Sequence, residues 1–205
     1  MASDTGQVKG RRPLRDSLHF LGAFVRNPST VGAVLPSSRH LARALAADLD
    51  LDRGDVVVEY GPGTGPMTSV IREELADVDD YIGIERSSTF HARLQERFPE
   101  LRFHQGSVEN IERILVQHGM AHPRVIVSGL PFASLPDGVQ KRVIIATRRV
   151  LRGDGEFRTF QYVHAWNLPA ARRFRSAMAK RFRYFERSRA VLRNVPPAYV
   201  LRYRP

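Results

Sequence analysis

No cysteine occurs among the 205 residues of the chain. Its absence excludes disulfide bonds, thiolate metal ligands and a cysteine nucleophile, and it agrees with a reducing compartment. Long apolar runs are missing too, because no stretch approaches the ~20 apolar residues that cross a bilayer. The N-terminus also lacks the apolar core of a secretion signal. The expected location is therefore the cytoplasm, and a peripheral position on the inner face of a membrane is compatible with it.

Lysine is scarce as well: Lys9, Lys141 and Lys180 are the only lysines among 32 basic residues, and arginine supplies the rest. The formal net charge of +11 favours anionic partners, namely nucleic acid, acidic lipid or a phosphorylated substrate. A solvated arginine-rich surface without a partner is the alternative. Within the most basic stretch, 171–189, packing in the core or hairpin is favoured over base stacking for the aromatic residues Phe174, Phe182, Tyr184 and Phe185.

Strands and helices alternate along most of the chain. The predicted strands are 55–60, 81–85, 101–105, 124–128 and 155–163, and a β-hairpin of 183–193 and 196–205 follows them. Such alternation indicates a parallel sheet with helices on both faces. We therefore predict an α/β fold, a Rossmann-like, doubly wound sheet of seven strands that is mostly parallel with a C-terminal antiparallel hairpin.

The segment before this sheet is predicted to be helical. Apolar periodicity over 14–26 indicates an amphipathic helix flanked by arginines. Its apolar face consists of Leu14, Leu18, Leu21 and Val25. Such a helix either lies in a membrane interface or packs on the sheet as a lid, and the sequence leaves both open. Ser38 is predicted to cap a second helix over 39–50.

The stretch VVVEYGPGTGPM, residues 56–67, ends a buried strand with an acid and three glycines. A doubly wound sheet binds ligands at the carboxyl ends of its strands. Gly61, Gly63 and Gly65 allow a sharp turn there and a close approach of a ligand to the backbone. The dinucleotide motif G-x-G-x-x-G would place its last glycine at Pro66, so a pyrophosphate site is the poorer interpretation.

Two acids accompany the glycine turn. Glu85 ends the second strand, roughly 20 residues after the glycines, where a carboxylate accepts hydrogen bonds from ribose hydroxyls. Glu59 lies just before the turn, where it either organises the loop or meets an ammonium group of a ligand. A tight turn without a ligand is the alternative. Strand, glycine turn, helix, strand and acid in this order favour a ligand site.

This arrangement resembles the class I S-adenosylmethionine-dependent methyltransferases. In that family the first motif wraps the methionine and ribose parts of the cofactor, and the second-strand acid binds the ribose. The resemblance implies S-adenosylmethionine as cofactor, S-adenosylhomocysteine as product and no metal. It implies cofactor binding by Glu59, Gly61, Pro62, Gly63, Thr64, Gly65, Glu85 and Arg86. Where the family has an acid that contacts the adenine amine, this chain has Ser107, so that contact falls to Ser107 or to the backbone amide of Val108.

The segment after the fourth strand indicates the methyl acceptor. It reads Ser128-Gly129-Leu130-Pro131-Phe132. Enzymes that methylate nucleobase amines carry N-L-P-Y there and grip the base with the amide, which Ser128 lacks. The S-G-L-P pattern instead resembles the bacterial phospholipid N-methyltransferases, which are related to the ribosomal RNA adenine dimethyltransferases.

Three further segments resemble the phospholipid N-methyltransferases, namely RNPSTVGAVLPSS, FQYVHAW and NVPPAYV. In that family the first of them lies over the cofactor. The resemblance therefore implies cofactor contacts by Val34, Pro36 and Ser37. It also implies that 1–40 hold the amphipathic helix and cofactor-covering segment, and that 41–205 form a single methyltransferase domain.

The expected function is methylation of the amine head group of a phosphatidylethanolamine-like phospholipid at an anionic membrane surface. The expected catalytic residues are Ser128, Gly129, Leu130, Pro131, Phe132, Tyr162 and His164. His164 is the first candidate to accept the amine proton, because histidine changes charge near neutral pH; Tyr162, His19 and His40 are others. The alternatives are an enzyme like the ribosomal RNA adenine N6-dimethyltransferases, with RNA as partner, a soluble amine methyltransferase, and a binder without activity.

Overall fold

The computed structural model describes residues 38–205. Its strands are β1 (Val57–Tyr60), β2 (Tyr81–Glu85), β3 (Arg102–Gln105), β4 (Val125–Ser128), β5 (Glu156–Tyr162), β6 (Tyr184–Arg187) and β7 (Ala198–Arg204). Its α-helices are α1 (Arg39–Ala46), α2 (Thr68–Glu74), α3 (Ser88–Arg97), α4 (Ile111–Gln117), α5 (Asp137–Val150) and α6 (Pro169–Ala179). The predicted helix over 14–26 lies outside the described residues.

The strands form a single seven-stranded sheet in the order β3-β2-β1-β4-β5-β7-β6. The first five strands pair in parallel, whereas β7 pairs antiparallel with both β5 and β6. The predicted sheet, mostly parallel with an antiparallel hairpin at its end, is therefore confirmed. Every residue of β1, β2 and β4 is buried, as expected for strands that helices cover on both sides.

Two layers of helices enclose the sheet. On one face, apolar residues of α1, α2 and α3 join the strands in one core, in which Leu45, Ile71 and Leu94 are buried. On the other face, the hydroxyl of Tyr60 lies 3.2 Å from that of Thr147 on α5. The sheet order reverses between β1 and β4, so the loops that follow these strands meet at the carboxyl edge. Such a crevice is where doubly wound sheets bind ligands.

Two helix boundaries in the structure differ from the predicted ones. Ser38 caps α1 as predicted, because its side chain accepts a hydrogen bond from the backbone N–H of Leu41. The helix ends at Ala46, however, and not at residue 50 as predicted. The guanidinium of Arg158, on β5, is buried and donates to the carbonyls of Leu45 and Asp48. These hydrogen bonds from a strand of the sheet end the helix. Pro66 predicts a helix start as well, because proline is favoured in the first turn of a helix. The structure begins α2 at Thr68 instead, after a turn that contains Pro66 and Met67.

The aromatic residues of the basic stretch divide into two groups. Phe174 and Phe182 are buried, which confirms core packing for these two. Phe185, on the edge strand β6, packs on Tyr203 of β7 with ring centroids 5.0 Å apart, which confirms hairpin packing although its side chain is 50% exposed. Tyr184, on the same strand, is 68% exposed and lies outside the core. Among residues 38–205, no helix is both long enough and apolar enough to cross a membrane.

Candidate active site

The glycine turn after β1 has two packed glycines and one open glycine. Gly61, Gly63 and Gly65 all adopt positive φ, at 65°, 60° and 81°. A Cβ atom on Gly61 would lie 2.6 Å from Leu130 Cδ2, and one on Gly65 would lie 2.7 Å from Phe98 Cε2. Among residues 38–205, a Cβ on Gly63 would meet only the carbonyl oxygen of Gly61, at 4.0 Å. The turn therefore presents bare backbone to open space at Gly63.

Glu85 holds this turn against the start of α3. Its carboxylate is 5% exposed, and its Oε2 accepts a hydrogen bond of 3.1 Å from the N–H of Gly63. Its Oε1 accepts one of 2.8 Å from the N–H of Ser87. Each oxygen keeps a further lone pair, because a carboxylate offers about four acceptor sites. The carboxylate therefore lies beside the open glycine with acceptor capacity left for hydroxyl donors.

Glu59 is the most deeply buried acid of the site. It is 0% exposed, and its Oε2 accepts hydrogen bonds from the hydroxyls of Tyr81, at 2.6 Å, and Thr68, at 2.8 Å. Burial raises the pKa of Glu59 to about 7, although these two donors lower it. Its Oε1 is buried and has no hydrogen-bond partner among the described residues. Buried acceptors are normally satisfied, so this oxygen points to a donor supplied by a ligand or water.

The ends of β2 and β3 bring the remaining predicted cofactor residues together. The N–H of Gly106 donates to the carbonyl of Glu85 at 2.9 Å, so the two strand ends are adjacent. Ser107 Oγ accepts from the N–H of Glu109 at 3.4 Å and begins a short 3₁₀ turn that contains Val108. Arg86 is partly exposed, directly after β2.

Pro62 is buried within the glycine turn, and Thr64 is exposed there. Val34, Pro36 and Ser37 lie outside the described residues.

The loop after β4 packs directly on the glycine turn. The N–H of Gly129 donates to the carbonyl of Tyr60 at 2.9 Å, and Leu130 packs beside Gly61. Ser128 is fully buried, and its Oγ accepts from the N–H of Leu130 at 3.2 Å. Its hydroxyl thus closes the loop locally.

The rest of this loop is fixed by the helices behind it. The ring of Phe132 is 3% exposed and stacks on Phe174 of α6, with ring centroids 4.7 Å apart. Its carbonyl accepts from Gln140 Nε2 of α5 at 2.7 Å. Pro131, between the loop and this anchor, is partly exposed. Phe132 therefore anchors the loop in the core, and the partly exposed residues of the loop are Gly129, Leu130 and Pro131.

Tyr162 and His164 lie together at the carboxyl end of β5. Their rings stack, with centroids 5.6 Å apart and an interplanar angle of 13°. Burial raises the pKa of Tyr162 to about 12, so its phenol stays protonated near neutral pH. His164 is exposed. His40 is exposed on α1, and His19 lies outside the described residues.

The sequence did not identify three residues that organise this region. Tyr81 and Thr68 hold Glu59, but the sequence pattern predicts only a strand at Tyr81 and a helix at Thr68. Asn194 is 2% exposed; its Oδ1 accepts from the N–H of Ser38 at 3.0 Å, and its Nδ2 donates to the carbonyl of Pro196 at 2.6 Å. A buried amide in the loop before β7 thus ties that loop to the start of α1. Alternation along β2 could have placed Tyr81 on the face of Glu59, and Asn194 begins the segment NVPPAYV that the family resemblance singled out without giving the residue a role; nothing local indicates Thr68.

Known proteins resemble this chain in sequence, and solved structures resemble it in fold. An ornithine lipid N-methyltransferase from Singulisphaera acidiphila is 33% identical over 147 residues, which cover 70% of this chain and 77% of that protein. A ribosomal RNA small subunit methyltransferase A from Opitutus terrae is 38% identical over 130 residues, 60% of this chain but 40% of that protein. No protein-family model matches.

Among solved structures, a TehB-like S-adenosylmethionine-dependent methyltransferase from Corynebacterium glutamicum superposes with a TM-score of 0.58. The match covers 93% of this chain and 98% of that one, at 15% sequence identity. At this identity the likeness concerns the fold alone. The overall fold is thus shared with a structure in which almost the whole chain corresponds.

Proposed function

Because the chain belongs to the class I S-adenosylmethionine-dependent methyltransferases, we propose that it methylates the amine of a membrane lipid head group. The relative from Singulisphaera acidiphila, named for N-methylation of ornithine lipid, supports this class of acceptor. Phosphatidylethanolamine and an ornithine lipid both offer a primary alkyl amine, which is the chemistry we assign to the acceptor. We further propose that the protein acts as a peripheral protein on the inner face of a membrane.

The choice of an alkyl amine as acceptor rests on the burial and the hydrogen bond of Ser128. A base-methylating site needs a side-chain acceptor that grips the planar amine of the base. Ser128 is fully buried, its Oγ already accepts from the N–H of Leu130, and it has no amide oxygen, so we infer that it does not offer that grip. The loop that remains, from Gly129 to Pro131, presents backbone and aliphatic carbon, which suits a small amine on a flexible lipid head group.

The cofactor half of the site fits S-adenosylmethionine. When bound, this cofactor supplies a methyl group on a sulfonium that needs no further activation. We assign the ribose hydroxyls to the free lone pairs of Glu85 and the close backbone approach to Gly63. Glu59 Oε1, which is buried and accepts from no donor in residues 38–205, is assigned to the ammonium group, directly or through one water.

The chain has to present the amine in line with the methyl group, about 3 Å away, and to hold it neutral, because an ammonium has no lone pair. Tyr162 keeps its proton near neutral pH and can therefore orient the amine as a hydrogen-bond donor. We assign the amine proton to His164, which stacks on Tyr162 and is open to solvent.

A ribosomal RNA adenine methyltransferase is the second candidate, because the relative from Opitutus terrae is the more identical of the two. That match covers only 40% of the longer protein. The engaged hydroxyl of Ser128 argues against a nucleobase acceptor for the reason given above.

The test is methyl transfer from labelled S-adenosylmethionine into three separate mixtures. The mixtures are vesicles with phosphatidylethanolamine or ornithine lipid in an anionic background, small ribosomal subunits, and a pool of soluble amines. Label in the organic phase is the expected result. Label in RNA alone would overturn the acceptor class and favour the second candidate. Label in the soluble amines alone would show a methyltransferase that needs neither membrane nor RNA.

A further inference from the structure

Two loops lie side by side at the carboxyl edge of the sheet, next to the proposed acceptor site. One follows β5 (163–168) and the other joins β6 to β7 (188–197). The N–H of Val163 donates to the carbonyl of Pro197 at 2.9 Å, which joins the two loops. Because the first loop begins directly after Tyr162, both loops border the end of the site where the amine is expected.

These loops expose three large aliphatic side chains. Leu168 is 52% exposed, Leu192 is 74% exposed and Val195 is 69% exposed. A single exposed aliphatic residue is ordinary on a protein surface. Three of them on adjoining loops indicate instead a surface that a partner covers.

Positive charge surrounds these aliphatic residues. Arg187, Arg189 and Arg193 are exposed, and the sequence from 187 to 197 contains no acid. Among residues 38–205, none of these three arginines is within ion-pair distance of a carboxylate. The partner that matches this surface in charge is anionic.

The aromatic residues here are already covered by guanidinium groups. Trp166 has the Cζ atoms of Arg175 and Arg187 at 3.7 and 4.9 Å from its ring centroid, and Tyr199 meets it edge-on at 5.2 Å. Arg187 also covers Tyr199, at 4.6 Å. Little ring surface is left for stacking with an unpaired base, which is how single-stranded RNA is bound. Exposed aliphatic carbon beside arginine suits a lipid surface better than RNA.

We propose that these two loops dock the protein on an anionic membrane. The docking surface consists of Leu168, Arg187, Arg189, Leu192, Arg193 and Val195. Its aliphatic side chains enter the boundary between head groups and acyl chains, and its arginines bind lipid phosphates. This inference rests on the proposed function, since docking here brings a lipid amine to the edge that holds Tyr162 and His164.

The chain offers a matched control for the test. Leu192→Glu changes an exposed residue of the docking surface, and Val116→Glu changes a residue that is 79% exposed on α4, which leads to the amino end of β4. Co-sedimentation of the full chain is measured with vesicles of phosphatidylcholine, with and without phosphatidylglycerol, and circular dichroism checks that each variant is folded. We expect binding that requires the anionic lipid. We expect Leu192→Glu to weaken it about tenfold or more, and Val116→Glu to leave it unchanged.

Removal of charge gives an independent measurement. Arg189→Ala and Arg193→Ala are each expected to weaken vesicle binding about fivefold at low salt, and less as salt rises. Equal vesicle binding by the parent chain, Leu192→Glu and Val116→Glu would overturn the proposal. Loss of binding to ribosomal subunits, with vesicle binding intact, in the docking variants would overturn it in favour of RNA.

The two proposals fail in different ways. Methyl transfer to an amine lipid dispersed in detergent does not need a membrane surface, so it tests the proposed function without the docking surface. Transfer in detergent together with unaltered vesicle binding by Leu192→Glu would refute the docking surface alone. Loss of vesicle binding in Leu192→Glu, with no lipid methylated by the parent chain, would refute the function and leave the docking surface standing.

Discussion

The two halves of the carboxyl edge satisfy their polar groups in different ways. In the cofactor half, within the part of the chain that the structure describes, one buried oxygen of Glu59 has no hydrogen-bond partner and Gly63 has no close neighbour, so hydrogen-bonding capacity is left unused there. In the acceptor half, Ser128 is bonded to its own loop and Phe132 is packed in the core, so the chain closes on itself. We infer from this difference that the proposed cofactor half relies on a ligand to complete its hydrogen bonds, whereas the proposed acceptor half contributes the shape of its loop.

A side chain added at Gly63 should have the largest effect on the proposed cofactor half. Gly63→Val adds carbon where the cofactor backbone contact is expected, and we expect no measurable binding of S-adenosylmethionine by calorimetry. The control is Gly119→Val, because Gly119 has a similar φ of 64° and no atom of the described residues lies within 4 Å of its added Cβ. Both variants carry the same backbone strain, about 1–2 kcal/mol, so they should lose similar stability. Normal binding by Gly63→Val would mean that the site lies elsewhere.

Replacing the buried acid should separate stability from binding. Burial raises the pKa of Glu59 from 4.5 to about 7, so the folded state holds this proton more tightly than the unfolded state. Stability should therefore fall as the pH rises from about 4.5 to about 7 and stay level above that, a cost of about 3 kcal/mol. Glu59→Gln mimics the protonated form. It should be more stable than the parent at pH 8 by up to that amount, and its denaturation midpoint should vary less over this pH range.

The same variant tests the role of Glu59 toward the cofactor. If Oε1 accepts from the ammonium group, Glu59→Gln should bind S-adenosylmethionine about tenfold more weakly at pH 8, because a charged hydrogen bond is lost. Unchanged affinity together with the gain in stability would show that Glu59 only organises the turn.

Ser128 should show the smallest effect. Ser128→Ala leaves the N–H of Leu130 without its acceptor, which should cost about 1 kcal/mol of stability and reduce methyl transfer modestly. Affinity for S-adenosylmethionine, measured by the same calorimetry, should stay within about twofold. A large loss of transfer with normal stability would mean that the hydroxyl contacts the acceptor, and the contrast between the two halves would disappear.

Local patterns were sufficient for most of the fold and for the glycine turn at the carboxyl edge of the sheet. Apolar runs and the glycine turn are read within a few neighbouring residues, and the strand order that follows is common to doubly wound sheets. What was missed depends on residues far apart in the chain. Arg158 ends α1 from β5, and Phe132 is fixed by Phe174, so neither outcome is visible in the segment concerned. The acceptor half is built from such contacts, which is why its predicted residues include one that lies in the core.

Trp166 is the only tryptophan of the chain, and it lies within the first loop of the docking surface, in contact with Arg175, Arg187 and Tyr199. All indole emission of the protein therefore originates at this one place. Any event that moves the covering guanidinium groups away, or replaces water around them by lipid, changes the environment of that single fluorophore. Tryptophan fluorescence can therefore report docking on a membrane without an attached dye.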